Sequence, residues 1–162
     1  MSRMKSAATI AAITSALIAS GITTATNAAA TTTTLGAKVL SAAKNQLGKP
    51  YLLGATGTRK FDCSGLIYYS RFKDTNRNHH SWFNTAQAQY NHTSHISSKS
   101  RRLGDLIFFG YSPKSIKHVG IYAGNGKMID ANSGDYYKHR VTTEPVKGWF
   151  SQHYNVYYGR LA

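Results

Sequence analysis

The chain has 162 residues, a single cysteine, seven histidines and a formal charge of +14, with 20 Lys and Arg against 6 Asp and Glu. A length of this order supports one core and one cleft, and one cysteine excludes an internal disulfide. With one Glu, Glu144, and five Asp, the chain is poor in the facing carboxylate pairs on which glycoside hydrolysis normally depends.

The first thirty residues, MSRMKSAATIAAITSALIASGITTATNAAA, carry Arg3 and Lys5, an apolar run from Ala7 to Ile18, and small residues at 28–30. This is the pattern of a secretory signal peptide. A spanning helix needs about 20 apolar residues, and Thr and Ser break the run before that, so no stable membrane anchor is expected after cleavage. No cysteine follows the small residues, which argues against lipid anchoring. Residues 31–36 then read as a short tether and residues 37–162 as one domain without internal repeats.

A secreted chain that loses Arg3 and Lys5 with its leader keeps a formal charge of +12. Outside the cytoplasm, nucleic acid is a poor partner for that charge, whereas anionic envelope polymers or lipid head groups would concentrate such a protein electrostatically. The competing reading is scattered solubilising charge, since SKSRR at 98–102 is the one tight cluster.

LGAKVLSAAKNQL, residues 35–47, spaces Leu35, Val39, Leu40 and Ala43 as one face of a helix, and Gly48 with Pro50 ends it. CSGLIYYSRF, residues 63–72, follows the loop GATGTRKFD and reads as a second helix beginning near Cys63, with Asp62 placed to cap it. Residues 73–100, rich in Asn, His and Ser, read as connection with one short helix near 85–90. DLIFFG (105–110), HVGIYAG (118–124), KMIDAN (127–132) and YNVYYGRL (154–161) are short, β-branched or aromatic, and bounded by turn residues. They predict antiparallel strands, with Asn125-Gly126 as a hairpin turn. Helices followed by a small antiparallel sheet make an α+β fold.

The lone thiol of Cys63 has three readings: a buried bystander, an intermolecular link, or a nucleophile. A helix start favours the third, because unsatisfied N–H groups and the positive dipole end stabilise thiolate and stand ready to donate to a developing oxyanion. An ordinary thiol is only a few per cent ionised at neutral pH, so a histidine must assist. His79, His80, His92 and His95 lie in the polar connection, and His139 and His153 flank loops; none has partners at metal-ligand spacing, and no metal or cofactor is expected. His118 differs, since it opens an otherwise apolar strand.

FDCSGLIYY, GDLIFF and HVGIYAGNGKMIDA, in this order, resemble the signature segments of the NlpC/p-sixty family, bacterial cell-wall cysteine peptidases with a papain-like core. The resemblance runs from about Ala37 to Leu161. It implies a helix-borne cysteine packed on an antiparallel sheet that carries the histidine, with Cys63 at the nucleophile position and His118 at that of the general base. The third, orienting residue, commonly His, Asn or Gln in the family, falls on Asp130. An aspartate can hold the imidazole tautomer and stabilise imidazolium, or it is a substitution that weakens the site.

Hairpin geometry leaves Asp130 open. A two-residue turn pairing Gly124 with Lys127 puts His118 and Asp130 on opposite faces by the period-two rule, unless a bulge intervenes. Tyr51, Asp62 and Ser64 match family positions that bind a free amino terminus of the substrate, and a carboxylate with two hydroxyls suits an ammonium group. Helix capping by Asp62 and Ser64, and core packing of Tyr51, are the alternatives. Asp105, which also matches, reads as structural.

The resemblance implies hydrolysis of an amide bond in the peptidoglycan stem peptide, usually D-γ-glutamyl to the diamino acid, by a secreted or wall-associated bacterial enzyme. A cysteine amidase of the muramoyl–L-alanine bond and an acyltransferase would share the same Cys-His pair. A non-enzymatic basic wall-binding protein would need neither residue.

Overall fold

The computed structural model describes residues 34–73, 83–135 and 139–162. The leader expected over 1–30, most of the tether, and His79 and His80 lie outside these residues. Helix α1 is Leu35–Lys44, capped by Thr34, whose Oγ1 accepts from the Ala37 N–H at 3.2 Å. The tether expected over 31–36 therefore yields Leu35 and Gly36 to the domain. The helix stops at Lys44 instead of Leu47 because residues 45–47 turn through shorter-range bonds, such as Gln46 N–H to Ala43 O, and Gly48 N–H then reaches across to Val141 O.

Helix α2, Cys63–Phe72, starts at the predicted residue, and helix α3 is Ala86–Asn91 with Thr85 as its cap. The strands are β1 (Ser94–Ile96), β2 (Leu106–Ser112), β3 (Ser115–Gly124), β4 (Lys127–Asn132), β5 (Arg140–Pro145) and β6 (Asn155–Arg160), with helix α4 (Trp149–His153) between the last two. They form one antiparallel sheet in the order β1-β6-β2-β3-β4-β5. The sequence reading lacks β1, three residues inside the polar connection, and β5, whose Val141-Thr142-Thr143-Glu144 alternates without a strong apolar signal. His118 is the fourth residue of β3, not its first.

Side chains alternate across the sheet and build two cores. On one face Phe108, Val119, Ile121, Ile129, Ala131 and Val141 pack with Val39, Leu40 and Ala43 of α1, Leu66, Ile67 and Phe72 of α2, and Tyr90 of α3. On the other, Ile107, Phe109, Met128 and Val146 pack with Phe150, Tyr154 and Val156. Leu106 to Phe109, with a core on each side, are all fully buried, which explains their unbroken apolar run.

Two register shifts in β3 determine what these faces carry. Gly124 pairs with Lys127, but Tyr122 pairs with Met128 and Ile121 with Ile129, so Ala123 is an extra residue. This bulge puts His118 and Asp130 on the same face, that of the second core. Another shift, between Phe109↔His118 and Gly110↔Ile116, falls at Lys117. A bulge next to a functional side chain re-aims it.

Candidate active site

Asp62 binds the start of α2 to the preceding loop. Its Oδ1 accepts from the Gly65 N–H at 2.6 Å and lies 3.0 Å from Ser64 Oγ, while Oδ2 accepts from the Gly54 N–H at 2.7 Å. The loop comes so close that a Cβ on Gly65 would lie 2.0 Å from Ala55 O, which makes glycine obligatory in the Cys-Ser-Gly run. From α3, the fully buried Gln89 donates to Ser64 O and Phe83 O at 2.8 and 2.9 Å. The backbone that carries Cys63 is thus fixed from three sides.

Cys63 is a free, half-buried thiol at the first position of α2. It lines a cleft of about 450 Å³ together with Gly54, Asp62, Ser64, Asn84, Ile116 and Lys117. The last two immediately precede His118 in β3. Tyr51 stands close by: burial raises its phenol, the charges of Cys63 and Asp62 add to the rise, and a hydrogen bond with Ser133 opposes it. The structure therefore gathers Tyr51, Asp62 and Ser64 around Cys63. Asp62 caps the helix as the alternative reading expected, and Ser64 Oγ also reaches Asn84 O at 2.9 Å.

The His118 ring meets the buried Asp130 through Nε2 and Oδ2 at 2.6 Å and stacks on Phe150 at 3.8 Å between ring centroids, with 6° between the planes. Nδ1 is left for a proton-transfer partner, and no hydrogen bond joins His118 to Cys63 among the described residues. Gly120 leaves room beside the pair, since a Cβ there would press on Met128 Sδ at 2.8 Å and on Asp130 Cβ at 3.4 Å. Burial pushes the Asp130 carboxyl up to about 7, against the opposing effect of hydrogen bonds from Glu144 and the backbone.

Three contributors escaped the sequence reading. Phe150 sits in a five-residue helix with no periodic signal, while Glu144 and Asn132 hydrogen-bond each other across β4 and β5, Asn132 Nδ2 donating to Glu144 Oε1 at 2.9 Å. Only the strand assignment of β5 could have pointed to Glu144, by placing it on the same face as Asp130. His118, Asp130 and Glu144 offer ligand atoms within 4.8 Å of one another, so these side chains could also hold a metal ion.

Residues 48–159 match the NlpC/P60 family. The chain is 39% identical over 119 residues to a probable endopeptidase p60 of Listeria grayi, covering 74% of this chain and 21% of that protein. It is also 39% identical over 126 residues to the bifunctional muramidase/DL-endopeptidase CwlT of Bacillus subtilis, covering 76% of this chain and 36% of that one. The chain thus spans between about a fifth and about a third of these relatives. Among solved structures, the NlpC/p60 domain of the peptidoglycan hydrolase SagA superposes with a TM-score of 0.63 at 30% identity, over 78% of this chain and 98% of that one. The P60 domain of antigen MAP1204 from M. avium subspecies paratuberculosis gives 0.61 at 30% identity, over 78% and 93%. The match over most of the domain, and the helices on an antiparallel sheet that it shares with these structures, make this chain a member of the NlpC/P60 family.

Proposed function

We propose that the chain is a secreted peptidoglycan hydrolase that cleaves an amide bond of the stem peptide, D-γ-glutamyl to the diamino acid, with Cys63 as nucleophile. The observation that carries the reading is the placement of the chain's one thiol at a helix N-terminus, in a cleft walled by the residues that lead into a His118–Asp130 pair. The relatives named endopeptidase support the reaction class.

In this mechanism Cys63 thiolate attacks the carbonyl carbon, and backbone N–H groups at the start of α2 stabilise the oxyanion. His118, held through Nε2 by Asp130, uses Nδ1 to protonate the leaving amine. A thioacyl enzyme and a free amine result. Water then gives a proton to His118 and attacks the thioester, releasing the acid and regenerating the thiol. The free protein holds Cys63 and His118 without a direct hydrogen bond, as active sites before substrate binding often do. Tyr51, Asp62 and Ser64 surround the position where a substrate ammonium group would be neutralised.

The test is mass spectrometry of purified muropeptides after incubation with the protein, with C63A as control. Fragments cut between D-glutamate and the diamino acid are expected only with the intact thiol. Fragments cut at muramoyl–L-alanine would make it an amidase, and joined stems an acyltransferase. The excess of basic residues suits retention on anionic wall polymers, which predicts weaker sedimentation with walls stripped of those polymers than with intact walls.

A further inference from the structure

Among the described residues that line the cleft of Cys63, Lys117 carries a positive charge that the reaction scheme does not use. It stands there with Asp62, Ser64 and Asn84. Its side chain is exposed and makes no hydrogen bond or ion pair with any other described residue. Asp62 does not neutralise it, because that carboxylate is taken up by the N–H groups of Gly54 and Gly65 and by Ser64 Oγ. The Asn84 amide, also exposed and unengaged among the described residues, lines the same space.

The fold fixes where this cation sits. Residues two apart on a regular strand share a face, yet Ile116 packs in the first core while His118 stacks on Phe150 in the second. The bulge at Lys117 makes the switch, so its side chain belongs to neither core and lines the cleft instead. Gln87 of α3 braces the bulge, accepting from the Ile116 N–H at 2.8 Å and donating to Pro113 O at 2.9 Å. From β2 the backbone comes so close that a Cβ on Gly110 would lie 2.3 Å from Ser115 O.

We propose that Lys117 reads the free α-carboxylate of the D-glutamyl residue, so that the cleft selects stem peptides whose D-glutamate is not amidated. The inference rests on the proposed cleavage after D-γ-glutamate and names a selection within it. A γ-linked glutamyl group offers its scissile carbonyl at the end of the side chain and leaves the α-carboxylate unblocked. An anion therefore accompanies the carbonyl that Cys63 attacks. The cleft that holds Lys117 is walled also by Asp62 and Ser64, assigned above to the ammonium end of the substrate, so it takes the acyl portion between that end and Cys63. A carboxylate there accepts charge-assisted hydrogen bonds from the Lys117 ammonium and the Asn84 amide. A carboxamide brings only a neutral carbonyl oxygen, and turns donors of its own toward a cation.

The test pairs muropeptides that carry D-glutamate or D-isoglutamine and are otherwise identical. Wild-type protein should cleave the D-glutamate stem with a kcat/KM roughly five- to tenfold higher, the range for a charged hydrogen bond discounted for exposure. K117Q should lose the preference and treat both stems alike. Equal cleavage by the wild type, or a preference that survives in K117Q, overturns the inference. So does a Lys117-dependent preference that follows amidation of the diamino acid in place of D-glutamate, since it would put Lys117 on the leaving-group side.

A second measurement needs no turnover. In the C63A background, L-alanyl-γ-D-glutamyl methylamide and its α-carboxamide counterpart are titrated while nuclear magnetic resonance shifts are followed. The acid should bind more tightly than the amide, and K117Q should remove the difference. Equal Kd values, or saturation by neither ligand, overturn the inference. Absence of Cys63-dependent cleavage of any stem would sink the peptidase reading and leave this titration to decide whether Lys117 reads the carboxylate.

Discussion

His118 Nε2 and Asp130 Oδ2 lie 2.6 Å apart, with both side chains shielded from solvent. The contact puts a carboxylate in place to orient the imidazole, the role that the proposed mechanism gives to Asp130. Its carboxyl, raised to about 7 by burial, is largely neutral below that pH and charged above it.

The sign of the pH effect follows. A neutral carboxyl can accept from the ring N–H but does little for imidazolium, whereas a carboxylate stabilises it. Cleavage should therefore rise through about pH 7. D130N, which accepts but never ionises, should lose this limb and retain roughly a tenth of the activity at pH 8, while D130A should lose roughly a hundredfold. Profiles of kcat/KM between pH 5 and 9, at about equal intervals, check this; a D130N profile identical to wild type would remove Asp130 from the mechanism.

The same carboxyl affects stability. Its pKa is raised in the fold, so the unfolded chain releases this proton at lower pH and folding is progressively disfavoured as pH rises from the ordinary aspartate value of 3.8 to about 7. Asn cannot ionise in either state. The melting temperature of D130N relative to wild type should therefore be more favourable at pH 7 than at about pH 4, as a thermal scan at both values will show.

Removal of the thiol separates chemistry from folding. C63A and C63S should both lose turnover to background while keeping the far-ultraviolet spectrum and melting profile of the parent. H118A should slow the reaction of Cys63 with iodoacetamide near neutral pH and abolish cleavage. An alkylation rate unchanged in H118A would show that the two residues do not cooperate.

Phe150 covers His118 with its whole ring face. F150A should admit water to the pair, and since burial is the main cause of the raised Asp130 carboxyl, the rising limb of the pH profile should move to lower pH. Activity at the optimum should fall roughly ten- to a hundredfold through looser positioning of the ring. A profile of unchanged shape would mean that Phe150 merely fills space.

Gly65 gives a prediction about folding alone. Any Cβ would meet the Ala55 carbonyl oxygen at 2.0 Å, and Asp62 holds both backbones in place, accepting from the Gly65 N–H and donating its own N–H to Ala55 O. G65A should cost about 1–3 kcal/mol and lower the melting temperature by roughly 4–12 °C. A change within the error of the measurement would contradict the close approach.

The helix that carries Cys63 was legible because its signals are local: Asp62 before Cys63, then an apolar face at helical spacing. The Asn125-Gly126 turn and the central strands were legible for the same reason. Asp130 came from resemblance, and its face could not be deduced, because a one-residue bulge at Ala123 leaves no mark in composition or periodicity. Glu144 was hidden further, in a strand of Val and Thr whose partner had to be known before its position meant anything. Phe150 belongs to a helix shorter than two turns, below the length at which periodicity shows.

The bulge at Ala123 also says where this hairpin can change length. Ala123 has no opposite number in β4, while Gly124 and Tyr122 on either side are already paired with Lys127 and Met128. Deleting Ala123 would leave a regular two-residue hairpin with every pairing above it intact. Deleting one residue from β4 between Lys127 and Asp130 would instead shift the parity of the whole strand and turn the carboxylate away from the imidazole. Length variants of the β3–β4 hairpin thus fall into two kinds, those that spare the meeting of His118 with Asp130 and those that put the two side chains on opposite faces of the sheet.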